Sequence, residues 1–303
     1  MRVLVTGGTG LIGWQIVRDA LSKGNEVFYT YHNNNINSEG ASALNLDIRD
    51  RKETIKIIEN VNPEIIIHTA ALTNVDLCEK DKEQAVQINI EGTRNVLDGC
   101  KNVKSQMIFI SSSFVFDGKK PIYHEDDARN PINYYGITKL KCEEMISSSG
   151  LDFLIIRTDQ PYCWTMPWQK KSTVVRLLEE LKAGQVTKVP LDWYNNPTFV
   201  DNLVEAILRL VEKNKTGIYH IVGHDFVSRY EWALTMAKIF DRNKDLVKPV
   251  KAQEIGAIAK RPNANLSNKK TESHGAIRLI GIDEGLRIML KQLSDQQTLV
   301  DTK

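Results

Sequence analysis

The stretch Arg2-Val3-Leu4-Val5-Thr6-Gly7-Gly8-Thr9-Gly10-Leu11-Ile12-Gly13 decides the reading of this chain. Arg2–Thr6 is a short apolar strand and Gly7–Gly13 a turn. Trp14–Lys23 is a helix with apolar residues at Ile16, Val17, Ala20 and Leu21. Gly24-Asn25 stops that helix, and Glu26–Tyr31 is rich in strand formers. Together they make a βαβ unit of about 30 residues. The glycines fit two spacings at once: Gly8, Gly10 and Gly13 match GxGxxG, and Gly7, Gly10 and Gly13 match GxxGxxG. Such a turn bends tightly, lets backbone approach a pyrophosphate and lets the helix pack close to the strand. The helix N-terminus adds free N–H groups and a favourable dipole. The plain alternative is a turn that binds nothing, but the strand before and the helix after favour a dinucleotide site. Gly7, Gly10, Leu11, Ile12 and Gly13 are its expected contacts.

Strands and helices go on alternating beyond this unit. Ala43–Leu46 reads as a strand, Arg51–Asn60 as a helix, and Glu64–His68 as a strand whose three consecutive isoleucines suit burial on both faces. Gln84–Cys100 is expected as one helix, Gln106–Ser111 as a strand, Asn133–Ser147 as a helix and Phe153–Arg157 as a strand. The alternation predicts an α/β protein with a doubly wound parallel sheet of the Rossmann type and a smaller C-terminal substrate lobe. Residues 1–158 are assigned to the nucleotide domain, to which residues 198–222 return through helix Val200–Glu212 and strand Ile218–Val222. The rest of 159–303 is assigned to the lobe.

Composition narrows the function classes. The 303 residues carry a formal net charge of +2, with no long block of one sign, so neither nucleic acid nor a membrane surface is an expected partner. No apolar run approaches the roughly 20 residues of a membrane span. Cys78, Cys100, Cys142 and Cys163 form no CxxC pair or ligand cluster, so no metal site is expected and reduced thiols in a cytoplasmic protein fit best.

A carboxylate at the end of the second strand would grip the ribose 2′-hydroxyl of NAD. Here that end reads Thr30-Tyr31-His32-Asn33. Tyr31 and His32 are therefore assigned to the ribose region, and the missing acid favours NADP(H), with NAD(H) also admissible. No arginine sits there for a 2′-phosphate. Asp47, followed by Ile48, is placed to meet the adenine, or else serves as a helix cap or surface turn.

Tyr135-Gly136-Ile137-Thr138-Lys139 puts a tyrosine and a lysine four apart on one helix face. A free phenol ionises near pH 10, and a nearby ammonium is expected to lower that value. Tyr135 is then able to give a proton to a carbonyl oxygen as hydride reaches its carbon. The pattern alone is common by chance. The glycine turn and Ser111-Ser112-Ser113-Phe114-Val115-Phe116-Asp117-Gly118, at the carboxyl end of an apolar strand, raise its weight.

These elements, with His68-Thr69-Ala70-Ala71, resemble the extended short-chain dehydrogenase/reductases over nearly the whole chain. Within that group the sequence is most similar to the dTDP-4-dehydrorhamnose reductases. Their STDYVFDG resembles Ser111–Gly118, their PT motif resembles Pro197-Thr198, and their late arginine-proline motif resembles Arg261-Pro262. The resemblance implies Ser112, Tyr135 and Lys139 as the catalytic set, Ala70 and Ala71 beside the cofactor, and a nucleotide-sugar 4-ketone as substrate. A homodimer is common in that family. Ser113 and Phe114 stand where the family has an aspartate and a tyrosine facing the sugar, so the substrate contacts differ here. Asp159, Gln160, Tyr162 and Trp164 are further candidates for the sugar. Trp164 and Trp168 would otherwise cover the nicotinamide or a base, or simply pack the lobe. Two other readings share the same triad: a nucleotide-sugar epimerase with tightly held NAD, and a non-catalytic subunit similar to the methionine adenosyltransferase beta subunit.

Overall fold

The computed structural model describes residues 1–34 and 36–301. Seven parallel strands form the central sheet: β1 (Arg2–Thr6), β2 (Glu26–Tyr31), β3 (Ala41–Asn45), β4 (Ile65–His68), β5 (Gln106–Ser112), β6 (Phe153–Thr158) and β7 (Gly217–His220). Their spatial order is 3-2-1-4-5-6-7. The order reverses beside β1, and in open α/β sheets ligands sit at such a switch point, outside the carboxyl ends of the strands. The final strand pairs with β6, Gly217 lying opposite Leu154, so the chain does return to the sheet after leaving it.

Helices cover both faces. On one, α1 (Leu11–Ser22) buries Ile16, Val17 and Ala20 with Val3, Val5 and Ile67. On the other, α2 (Arg51–Val61) and α3 (Gly92–Val103) bury Ile57, Ile58, Val96 and Leu97 against Leu4, Ile66 and Phe109. Successive residues of β1 and β4 thus feed opposite cores, and the consecutive isoleucines Ile65–Ile67 are needed for that reason. Next come α4 (Tyr134–Ser147), α5 (Thr173–Lys182), α6 (Val200–Glu212), α7 (Arg229–Ile239) and α8 (Ile282–Asp301). The C-terminal lobe gathers around α5 and α7, and there Thr187–Pro190 pairs in parallel with Val247–Val250.

One expected element differs. In place of a single helix over 84–100, two short helices, Val75–Lys80 and Lys82–Ala85, lead into a wide π turn at Val86–Glu91 and then α3. The π turn carries Asn89, whose amide accepts from Leu72 N (2.7 Å) and donates to Leu72 O and to Thr138 Oγ1 (both 3.1 Å). Extra residues in a helical turn of this kind collect at functional sites; this one fastens the loop after β4 to the helix that bears Tyr135.

Candidate active site

The glycine turn is held by β2, with Gly7 N donating to Thr30 Oγ1 (3.1 Å) and Gly8 N to Thr30 O (2.9 Å). Gly7 has φ +69°, a conformation that side chains disfavour. A Cβ on Gly13 would lie 2.4 Å from Gly7 O, so α1 reaches the turn only because this residue is glycine. The first amides of α1, at Leu11, Ile12 and Gly13, have no partner within the helix and face the turn. A cavity of about 500 Å³ opens here, bordered by Gly7, Gly10, Tyr31, His32, Asp47, Ile48, Ala70 and Ala71. All the residues expected at the nucleotide end therefore border one cavity or the next.

Arg49 belongs to the same wall. The expectation that no arginine stands by the ribose holds for the end of β2 in sequence, but β3 and the turn after it bring Arg49 alongside. Its guanidinium grips Asp47 with contacts of 2.5 to 3.0 Å. Those hydrogen bonds hold the Asp47 carboxyl below its usual range. Asp47 is not the helix cap: Asp50 caps α2, accepting from Glu53 N at 3.0 Å.

A second cavity of about 560 Å³ continues from Gly10–Gly13 to Ser112, Phe114, Tyr135 and Lys139, and on to Thr158, Asp159 and Gln160. Tyr135 and Lys139 reach it because α4 starts against the end of β5. Asn133 caps the helix, accepting from Gly136 N at 2.8 Å. A Cβ on Gly136 would sit 2.1 Å from Phe114 O, so the glycine sets that approach. Ser112 leaves the sheet extended and its Oγ accepts from Phe114 N (3.3 Å). Lys139 Nζ donates to Ile110 O (2.9 Å) and lies 4.7 Å from the Phe109 ring centre.

Burial dominates the electrostatics of this pair. It pushes the Tyr135 phenol well above 10, and a hydrogen bond from Ser112 opposes the shift without cancelling it. It also lowers Lys139 to about 8. The expected depression of the phenol by the ammonium is thus outweighed by desolvation. A protonated Tyr135 is what a proton donor to a carbonyl requires.

Among the expected sugar contacts, Phe114, Asp159 and Gln160 line the cavity. Ser113 is buried and donates a hydrogen bond to Asp159. Asp159 also accepts from Asn196 N (2.9 Å) and from Asn195 Nδ2 at 3.3 Å. Burial raises its carboxyl to about 6, against the pull of Arg229. Gln160 sits at φ +39°, unusual for a non-glycine residue and typical of strained site corners. Three candidates do not line the cavity: Ser113, Tyr162 and Trp164. Tyr162 is fully buried between Phe199 and Trp232, and Trp164 stands edge-on to Phe240 and donates its Nε1–H to Met289 O (2.8 Å). Tyr162 belongs to the main hydrophobic core and Trp164 packs against it.

The model of the RmlD substrate binding domain matches residues 1–295. The chain belongs to that family. It lies within the extended short-chain dehydrogenase/reductases. Among curated relatives, the methionine adenosyltransferase 2 subunit beta of Xenopus tropicalis is 27% identical over 281 residues, spanning 90% of this chain and 82% of that protein. Among solved structures, the dTDP-4-dehydrorhamnose reductase of Bacillus anthracis, in complex with NADP, is 27% identical with a TM-score of 0.83, covering 96% of this chain and 99% of that one. A hypothetical dTDP-4-dehydrorhamnose reductase of Sulfolobus tokodaii is 35% identical with a TM-score of 0.78, covering 90% and 94%.

In this RmlD-family chain the segments around the two late motifs fasten onto residues beside the cavity. Gly118, at φ +76°, lies so close to Asn263 that a Cβ would be 2.5 Å from its backbone nitrogen. Asn133 Nδ2 donates to Lys260 O (2.8 Å), and Arg261 pairs with Asp76 (2.8 Å). Thr198 Oγ1 donates to Asp159 O (2.6 Å), which fixes the corner that carries the carboxyl. Besides Arg49, sequence reasoning missed Thr158, whose buried hydroxyl lines the cavity and has no partner among the described residues. It also missed Arg229, which stacks 4.4 Å from the Trp193 ring centre and donates to Asn195 Oδ1 (2.7 Å). Neither lies in a recognisable motif; both follow from how the lobe folds back.

Proposed function

We propose that this chain reduces the 4-keto group of a nucleotide-activated 4-keto-6-deoxy sugar, using NADPH in preference to NADH. By its family it is an NAD(P)-dependent oxidoreductase of the nucleotide-sugar class. Direction, sugar and proton donor are our reading. The observation that carries it is the convergence of Ser112, Tyr135 and Lys139 on a cavity that runs on from the glycine turn.

The dinucleotide fits the residues present. The cavity runs along the glycine turn, the first α1 amides have no partner within the helix, and Arg49 lines the far wall. Gly7, Gly10, Leu11, Ile12 and Gly13 would hold the pyrophosphate, Ala70 and Ala71 the neighbouring ribose, and Tyr31, His32, Asp47 and Ile48 the adenosine. When bound, the nicotinamide supplies the hydride. Ser112 and Tyr135 hydrogen-bond the 4-keto oxygen, and Tyr135 gives it the proton. Lys139 would orient Tyr135 and hold the nicotinamide ribose, and the Tyr135 phenolate takes its next proton from solvent. Positioned proton transfer of this kind contributes roughly 10²–10⁴-fold in rate.

The sugar's hydroxyls would meet Asp159 and Gln160, with Phe114 against its apolar face and Ser113 holding Asp159 from behind. In this reading residues 1–158, with 198–222, form the cofactor domain, the rest of 159–303 forms the substrate lobe, and the protein works in the cytoplasm. The absence of an acid at the end of β2 weighs against an epimerase holding NAD tightly. A second reading, a regulatory subunit, is favoured by the likeness to the methionine adenosyltransferase 2 subunit beta.

The test is absorbance at 340 nm with NADPH, then NADH, and a panel of nucleotide-linked 4-keto-6-deoxy sugars. Sugar-dependent loss of signal supports a reductase. No loss, with cofactor binding measured separately, turns the reading toward an epimerase or a regulatory subunit.

A further inference from the structure

The segment from Cys163 to Ser172 crosses between the lobe and the glycine turn, and the chemistry above gives it no task. It is closed at its root, where Ser172 Oγ donates to Cys163 O at 2.9 Å. It is braced inside by Gln169 N on Met166 O (2.9 Å) and Met166 N on Gln169 Oε1 (3.1 Å). A compact loop whose ends meet and whose own side chains fill it behaves as a unit.

Three contacts fasten its tip to the nucleotide domain. Gln169 Nε2 donates to the carbonyls of Thr9 and Gly10, each at 3.1 Å, on the glycine turn itself. The Trp168 ring stands edge-on to Trp14 of α1, centres 5.2 Å apart. Asn34 Nδ2 donates to Trp168 O (3.2 Å) from beyond β2. Meanwhile the Trp168 indole N–H is buried with no partner among the described residues, and its ring lines the cavity beside Gly10–Gly13. A buried donor left unpaired is costly, and an acceptor in the cavity would relieve that cost. Lys170, on the same rim, is exposed and makes no ion pair among the described residues.

We propose that residues 163–172 are a strap over the diphosphate of the bound dinucleotide, latched to the glycine turn by Gln169. The Trp168 N–H and the Lys170 ammonium are the donors it offers to that anion. The strap lies on the loop that receives the diphosphate, so the dinucleotide leaves only when the strap lifts. The proposal rests on the cofactor assignment and not on the identity of the sugar.

The experiment measures NADPH binding by the nucleotide's own fluorescence, at equilibrium and by stopped-flow displacement. Trp168→Phe keeps the ring on Trp14 and removes the N–H; it is expected to raise Kd about tenfold, as for one hydrogen bond to a charged acceptor. Gln169→Ala, at a half-exposed position that does not endanger folding, is expected to speed dissociation several-fold. Dissociation rates and Kd within twofold of the parent in both variants would overturn the strap while leaving the reductase reading intact. Failure of the parent chain to bind either nicotinamide dinucleotide would overturn both.

Discussion

Arg157 and Glu143 meet as a fully buried, two-pronged ion pair directly behind the carboxyl edge of the sheet. The guanidinium Nε and Nη2 donate to the two carboxylate oxygens at 2.9 and 2.8 Å, and neither side chain is exposed. Ser111 Oγ donates to the same carboxylate (2.6 Å), and Arg157 Nη1 donates to Glu125 O (2.9 Å). The pair thus ties β5, β6 and α4 together one residue from Ser112. Removing Arg157 leaves the buried Glu143 carboxylate with only the longer Arg129 ion pair (3.4 Å), which costs roughly 3–5 kcal/mol. Arg157→Ala is expected to lose that much in urea unfolding, as a lower midpoint at unchanged slope. A loss under about 1 kcal/mol would show the pair to be incidental.

Tyr135→Phe removes only the phenol oxygen from a buried ring packed edge-on to Phe114. It is expected to lower kcat about 10²–10⁴-fold while NADPH Kd changes little. Near-parent turnover would take Tyr135 out of the mechanism.

Sequence and structure agree where short-range patterns dictate the outcome. The turn at Gly7–Gly13, the isoleucines of β4 and the Tyr135–Lys139 spacing each follow from a local need, and each stands where the periodicity places it. The sheet's edges were harder to read, since contacts distant in sequence set them. The second aliphatic stretch expected at Ala43–Leu46 pairs instead as Ala41–Asn45, in register with Val27–Tyr31. Arg49 escaped notice because its partner cavity forms only when β3 docks on β2. Tyr162 and Trp164 were read as site residues because aromatics serve cores and sites alike; which way they turn depends on the lobe, whose irregular sequence carries no period.

Arg49 gives the cofactor preference a handle. A 2′-phosphate at the ribose end would share its guanidinium with Asp47, and one hydrogen bond to a charged group is worth about 1.5–3 kcal/mol. Arg49→Ala is expected to raise Kd for NADPH roughly tenfold or more and to leave Kd for NADH within about threefold. Equal losses for both would assign Arg49 to the adenine or to structure.

Acid stability should report the buried histidines. His68, bridged by Thr6 Oγ1 (2.6 Å) and Thr93 Oγ1 (3.0 Å), is lowered by burial to about 3, and His220 is held well below its usual value for the same reason. A depressed histidine stabilises the fold fully above its unfolded value near 6.5, and the contribution is lost as pH falls. For His68 alone the loss between pH 6.5 and 5 is on the order of 1–2 kcal/mol. Asp159, raised to about 6, works in the opposite sense over the same range, since the fold takes up its proton first. The difference between the parent and His68→Gln isolates the histidine: the parent should lose on the order of 1–2 kcal/mol more over this interval. Parallel curves would place the His68 ionisation elsewhere.

The central claim is hydride transfer to a sugar carbonyl, and deuterium reports it most directly. The chain is incubated with NADPH carrying deuterium at the transferable C4 position and with dTDP-4-dehydrorhamnose, and the product sugar is read by mass and NMR. The account predicts one deuterium per NADPH consumed, at C4 of the sugar, and its disappearance in Tyr135→Phe over the same time. Sugar recovered without deuterium, while NADPH stays bound and unoxidised, would contradict it.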